Sequence, residues 1–203
     1  MTTISTVLFD LDNVLCHYDR DAHIAHIAQK AGVTPEEVNN AIWQSGFDAD
    51  ADAGQFDTDT YLNGFKTRIG YPLTRAEWTE GRAQTTAPNH GVLKLAQALR
   101  HKTKIAVLTN NTTLVTDHLD AFLPELRPMF GANIYASASL KQRKPFADAY
   151  HRCLAQISAV PNETLFIDDS LENVAGARQA GLWGHHFKSA AGLRQALGRH
   201  GLV

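Results

Sequence analysis

Residues 5 to 16 read STVLFDLDNVLC: an apolar run ends at Phe9, and Asp10 and Asp12 follow one residue apart. Side chains alternate along an extended chain, so both carboxylates point to one face with α-carbons roughly 6.5 Å apart. Like charges that close repel unless a metal ion or a basic side chain sits between or beside them. Three more apolar runs end on, or lead to, chemically useful groups. KIAVLT (104–109) ends on Thr109 and is followed by Asn110; TLFIDD (164–169) ends on Asp168 and Asp169; and NIYAS (133–137) precedes KQRKP, which holds Lys144.

These four runs, rich in β-branched and large apolar residues, read as strands, with a fifth near GHHF (184–187). Helix-spaced apolar residues lie between the later ones: Val92, Leu95, Ala96 and Leu99; Leu114, His118, Leu119 and Phe122; Phe146, Ala149, Tyr150, Cys153, Leu154 and Ile157. A closing helix starts near Ala190. Strands alternating with helices predict an α/β fold, a three-layer Rossmann-like parallel sheet covered on both faces. Such sheets bind ligands at the carboxyl ends of their strands, where the acids, the hydroxyl and the lysine of this chain all fall.

The interval 17–88 breaks the alternation. It carries helical patterns at 21–31, at 35–45 behind a Thr34 cap with Pro35 at the first helical position, and near 58–69 and 75–84, with no strand signal between them. An all-helical block inserted after the first strand is expected to lie as a small lid over the strand ends. The expected division is a core of 1–16 and 89–203 and a helical cap of 17–88. DADADAGQFD (48–57) reads as an exposed inner turn of the cap; it lacks the closing glutamate of an EF-hand calcium loop. Trp43, Phe47, Tyr61, Phe65 and Trp78 are expected to form the cap's core.

Taken singly, Thr109 and Asn110 are ordinary strand-end residues, Lys144 a solvated residue at the mouth of a helix with Pro145 in its first turn, and the Asp pair a helix cap. Together they describe a magnesium site with room for water and a phosphate, completed by a lysine and a hydroxyl. A strand-end carboxylate can attack phosphorus, and a second carboxyl two residues on can give a proton to the leaving oxygen and later take one from water.

The motifs DLDNV, LTNNT, RKP and IDDSLENVAGARQAG, in that order, resemble those of haloacid dehalogenase superfamily hydrolases. The wording is similar to the phosphatase branch with a small helical cap, which holds bacterial sugar-1-phosphate phosphatases and the amino-terminal phosphatase domain of soluble epoxide hydrolases. The resemblance implies Asp10 as nucleophile and magnesium ligand, and Asp12 as acid/base, binding metal through its backbone carbonyl. It implies Asp169 as a direct ligand, Asp168 as one acting through water, Thr109, Asn110 and Lys144 as phosphate-holding residues, and Asn173 as a residue orienting the lysine. Asn13 and Val14 stand where the commonest first motif has Gly-Thr.

The expected activity is Mg2+-dependent hydrolysis of a small phosphorylated metabolite, a sugar phosphate being one candidate. A 2-haloacid dehalogenase would not need the acid at Asp12, because halide leaves without a proton. A phosphomutase of the same superfamily remains open. A phospho-receiver module would carry its aspartate on a middle strand. The 203 residues, with a formal charge of −2, offer no basic stripe for nucleic acid or membrane. The two cysteines, Cys16 and Cys153, are too few for a disulfide framework, and the first residues show no leader pattern. A cytoplasmic monomer or homodimer is the expectation. Cys16 reads as a buried hydrophobe, and His23, His26, His185 and His186 as packing or solvated residues.

Overall fold

The computed structural model describes residues 3–203; Met1 and Thr2, included in the expected core segment 1–16, lie outside the described residues. Five parallel strands form the main sheet. In chain order they are β1 (Thr6–Phe9), β4 (Lys104–Thr109), β5 (Ile134–Ala136), β6 (Thr164–Asp168) and β7 (Trp183–His186). Two short strands, β2 (Cys16–Tyr18) and β3 (Thr86–Pro88), form a separate antiparallel ribbon. The order across the main sheet is β5-β4-β1-β6-β7, which puts β1 in the middle between β4 and β6.

Alternation along the strands assigns their side chains to two cores. Val7, Phe9, Ile105, Val107, Leu165 and Ile167 face one side, where they meet Val92 and Leu95 of helix His90–Leu99 and Leu193 and Leu197 of helix Ala190–Arg199. Leu8, Ala106, Leu108 and Phe166 face the other, against Tyr150, Cys153 and Leu154 of helix Ala147–Gln156 and Ala177 of helix Leu171–Gln179. Each such large side chain contributes about 1.5–3 kcal/mol by leaving water. A one-residue slip of β1 would exchange the two faces, so the register Phe9↔Ile167 is strongly specified. The helical pattern expected at 114–122 is shorter than its spacing implied: an α-helix at Thr113–Asp117 gives way to a 3-10 turn at Leu119–Ala121.

Between β2 and β3 the chain is helical: Arg20–Ala31, Pro35–Val38, Phe47–Asp52, Thr58–Ile69 and Arg75–Gln84, with a π-helix at Asn39–Gln44. Asp19 caps the first helix, and capping boxes at Thr34/Glu37 and Thr74/Glu77 start two others. Phe47 stacks on Tyr61 and Phe56 and lies over Gly64, where a Cβ would come 2.0 Å from its ring.

Three expectations for this interval need correction. No strand separates the helices, but the interval is not all-helical, because the ribbon occupies its two ends at 16–18 and 86–88; strands of three residues are too short to show a period. The helix expected at 35–45 is four α-helical residues followed by the π-helix. Only the second half of 48–57 is a turn: after Gly46, at φ +83, helix Phe47–Asp52 buries Phe47 and Ala51 and leaves Asp48 and Asp52 half-buried, and the chain turns from 53 on. Among the described residues no helix is long and apolar enough to cross a membrane.

Candidate functional site

Because Phe9 and Ile167 are partners in register, the residues that follow them emerge side by side at the carboxyl edge: Asp10 after β1, Asp168 closing β6, and Asp169 next. The Asp10 amide still donates to the Ile167 carbonyl (2.8 Å), and its own carboxylate accepts from the Leu11 amide (2.8 Å), which fixes its rotamer. Carboxylate oxygens of Asp10, Asp168 and Asp169 lie within 4.8 Å of one another.

Lys144 is 1% exposed, and its Nζ lies 2.8 Å from Asp10 Oδ1 and 2.7 Å from Asp168 Oδ2. It is no solvated surface residue. Asn110 clamps its backbone: the side-chain amide donates to the Lys144 carbonyl (2.9 Å) and accepts from the Lys144 amide (2.9 Å). The Asn110 side chain is thus spent on the lysine, leaving its backbone to face any ligand. Asn173 acts on the lysine only indirectly, its Nδ2 donating to both oxygens of Asp168 (3.2 and 3.1 Å). Helix Ala147–Gln156 begins two residues after Pro145, so Pro145 precedes the first turn expected to contain it.

The Asp12 carboxylate turns away from this cluster. One oxygen accepts from Arg82 Nη2 and the other from Asn111 Nδ2 (3.0 Å), which also donates to Thr109 Oγ1 (2.7 Å). Arg82 is fully buried at the end of helix Arg75–Gln84, and its guanidinium sits 3.5 Å over the Tyr18 ring. Neither Arg82 nor Asn111 stood out in the sequence. Asn111 adjoins Asn110 in the second motif and was accessible to inspection; Arg82, seventy residues from its partner, was not.

Burial drives the Asp10 carboxyl well above its ordinary range, Asp168 adds to that, and Lys144 opposes it. Burial works to lower Lys144, but the charges of Asp10 and Asp168 outweigh it and hold the ammonium above its ordinary value. Burial, then Asp168, also raises Asp169. One lysine cannot balance three acids. An all-oxygen donor set with this surplus of negative charge fits Mg2+, which favours a few carboxylates and keeps places for water and phosphate.

A cavity of about 1000 Å3 opens beside Asp12, with Asn111 on the sheet side and Tyr18, Asp48, Asp52 and Arg82 on the helical side. Tyr61 donates its hydroxyl to Asp48 Oδ1 (2.8 Å). Burial raises both Asp48 and Asp52, each acid of this pair lying close to further charged groups. Trp43, Tyr61 and Trp78, expected in the helical core, also border this space. Cys16 is buried as expected, its thiol 3.6 Å from Asp12 Oδ1 and pushed up by burial.

Central strands that bring carboxylates together at one edge of a parallel sheet, with a buried lysine from a neighbouring loop, make a site suited to a hard metal ion and a phosphorylated ligand. A family model described as haloacid dehalogenase-like hydrolase matches residues 4–181, and the chain belongs to that family. A sesquiterpene phosphatase of Aspergillus oryzae is 26% identical over 97% of this chain and 98% of its own length. A D-ribitol-5-phosphate phosphatase of Bacteroides thetaiotaomicron is 21% identical over 96% and 97%. A family enzyme from the same bacterium, solved with magnesium and inorganic phosphate, superposes with a TM-score of 0.72 at 21% identity, over 91% of this chain and 94% of that one.

Proposed function

We propose that the protein is a magnesium-dependent phosphomonoesterase working by double displacement on a small phosphorylated metabolite. The observation that carries this reading is the division of labour at the sheet edge. Asp10 is locked among Lys144, Asp168 and Asp169, while the carboxylate of Asp12 is held at the floor of the cavity where a leaving group would lie.

In the first step an Asp10 oxygen forms a bond to phosphorus, the ester P–O bond breaks, and Asp12 gives its proton to the departing alkoxide. In the second, water adds to phosphorus, Asp12 takes a proton from it, and the bond between phosphorus and Asp10 breaks to release phosphate. Lys144 and Thr109 hold non-bridging oxygens; Asn110 keeps the lysine backbone in place. Asp10, Asp168 and Asp169 would hold Mg2+, with the Asp12 backbone carbonyl as a further oxygen. When bound, the ion neutralises charge on the phosphoryl group. The insert, 17–88, acts as a cap that closes the site over the ester.

Asp12 also separates this reading from carbon-centred dehalogenation, which needs no proton for its leaving halide. Two relatives that carry phosphatase names support the choice. The test is release of phosphate from a panel of phosphorylated metabolites, and of halide from a 2-haloacid, with Mg2+ and with chelator, beside Asp10→Asn. Magnesium-dependent phosphate release lost in the variant supports the reading; halide release, or activity retained in Asp10→Asn, overturns it.

A further inference from the structure

Resting on that reading of the reaction, we infer that Arg82 is a positioning residue for the acid/base: it orients the Asp12 carboxyl so that Oδ2 is the oxygen that exchanges the proton. Arg82 reaches Asp12 because the turn that carries it is pinned. At Gly81 a Cβ would come 2.8 Å from the rings of both His23 and His26, so helix Arg75–Gln84 lies directly on helix Arg20–Ala31. The guanidinium carbon stands 3.5 Å from the centre of the Tyr18 ring and 5.7 Å from that of Phe122. The Tyr18 hydroxyl is in turn 2.9 Å from His23 Nδ1. A planar cation stacked on a ring that is itself tethered cannot follow a carboxylate that rotates.

The contacts of Asp12 divide its two oxygens. Oδ1 accepts from Arg82 Nη2 and has the Cys16 sulfur at 3.6 Å. Oδ2 accepts from Asn111 Nδ2 (3.0 Å) alone among the described residues, and so keeps an open lone pair. Asn111 is fixed as well, because its amide donates to the hydroxyl of the fully buried Ser137 (3.2 Å). With both oxygens held, the plane of the carboxyl is set. Without Arg82 one bond remains, and the group can turn about its Cβ–Cγ bond. Stability is a weak reason for such a pair, since desolvating two charges offsets most of their attraction. The exposure is divided to suit the reaction instead: Arg82 is buried, while the Asp12 side chain stays 20% exposed and borders the cavity. In the first step the Oδ2–H bond breaks, its electron pair stays on Asp12, and the proton passes to the departing oxygen. Arg82 keeps its protons throughout.

The experiment measures kcat/KM with Mg2+ on phenyl phosphate and p-nitrophenyl phosphate, esters of similar shape whose leaving groups differ in their need for a proton. The variants are Arg82→Met, which keeps an apolar stem and removes the guanidinium, Asp12→Asn, and the two together. Arg82→Met should lose at least tenfold more on phenyl phosphate than on p-nitrophenyl phosphate. In the Asp12→Asn background it should cost phenyl phosphate no more than a further twofold, because the group it positions no longer carries the proton. Equal losses on the two esters overturn the inference, as do single losses that multiply in the double variant. If Arg82→Met does not fold, Arg82→Lys decides, since it keeps the charge without the planar fork. A loss there at least threefold greater on phenyl phosphate supports the inference; an even loss, or none, overturns it. An even loss in an enzyme whose phosphate release needs Mg2+ and Asp10 overturns only this inference, whereas an unaltered enzyme silent on both esters overturns the phosphatase reading with it.

Discussion

Gly176 sits in helix Leu171–Gln179, where replacement by Ala would ordinarily stabilise by about 0.5–1 kcal/mol through reduced backbone freedom. Here the sign should reverse. A Cβ at 176 would stand 2.2 Å from the Pro145 carbonyl oxygen, 2.8 Å from its Cβ and 2.9 Å from its carbonyl carbon. The obstacle is backbone, so helix and loop must part by about 1 Å, and overpacking of that kind costs about 1–3 kcal/mol. The net expectation for Gly176→Ala is a loss of about 1–2 kcal/mol. At a urea slope of about 2 kcal/mol per molar, the unfolding midpoint should fall by roughly 0.5–1 M. Activity should suffer more than stability, since the shift separates Lys144, beside Pro145, from Asn173, which holds Asp168 from the moving helix. A displacement near 1 Å costs about a hundredfold in rate. Urea unfolding followed by circular dichroism, with phosphate release on the same preparation, checks both. A variant as stable as its parent with full turnover would falsify the claim that this contact positions the lysine.

Asp12→Asn should lose at least tenfold more rate on an alkyl phosphate than on p-nitrophenyl phosphate, whose leaving group needs little protonation; equal losses would remove the acid role. Asn110→Ala should slow turnover while costing about 1–3 kcal/mol in urea, because it strips both clamps from the Lys144 backbone. Burial, aided by Arg82 and His26, pushes His23 down from 6.5 to about 3, so it stays neutral when folded and takes a proton when unfolded at acid pH. Its contribution to stability is present above pH 6.5 and is lost toward pH 3, at about 1.4 kcal/mol per pH unit. His23→Gln should flatten that slope, as read from urea unfolding at pH 7, 5.5 and 4.5; an unchanged slope would show that His23 is not its source. Chelation should abolish phosphate release and Mg2+ restore it, whereas undiminished release in chelator would count against the metal.

The strand runs were legible because each strand of the main sheet is packed on both faces or ends at the ligand edge, so type and position coincide in the sequence. The same logic brought Asp10, Thr109, Lys144 and Asp168 into view, each named by the strand it ends or follows. Lys144 shows the limit of that logic: its sequence position looks like a solvated helix start, and only the fold reveals that two carboxylates and an asparagine clamp enclose it. Asp48 and Asp52 were misread because alternating Asp and Ala look polar and exposed. The contacts that hold this segment in place come from far along the chain: Ser137 and Lys141, more than eighty residues away, bond the Asp52 and Gly54 carbonyls, and Tyr61 bonds the Asp48 carboxylate. The contact of Arg82 with Asp12 leaves no local trace for the same reason: neither residue type nor spacing encodes a meeting across the ribbon.

The ribbon itself bears on how such a protein can change. Cys16 pairs with Pro88, and the Asn89 amide bonds the Leu15 carbonyl at 2.9 Å, so the chain rejoins the sheet domain one hydrogen bond from where it departed. Nothing in the register of the main sheet depends on what lies between those two points. An excursion with adjacent ends can be lengthened, shortened or exchanged without re-threading its host, the condition under which insertions are best tolerated. The grafting point is thus written into a three-residue stem, but any excursion exchanged there must bring its own partner for the Asp12 carboxylate in place of Arg82.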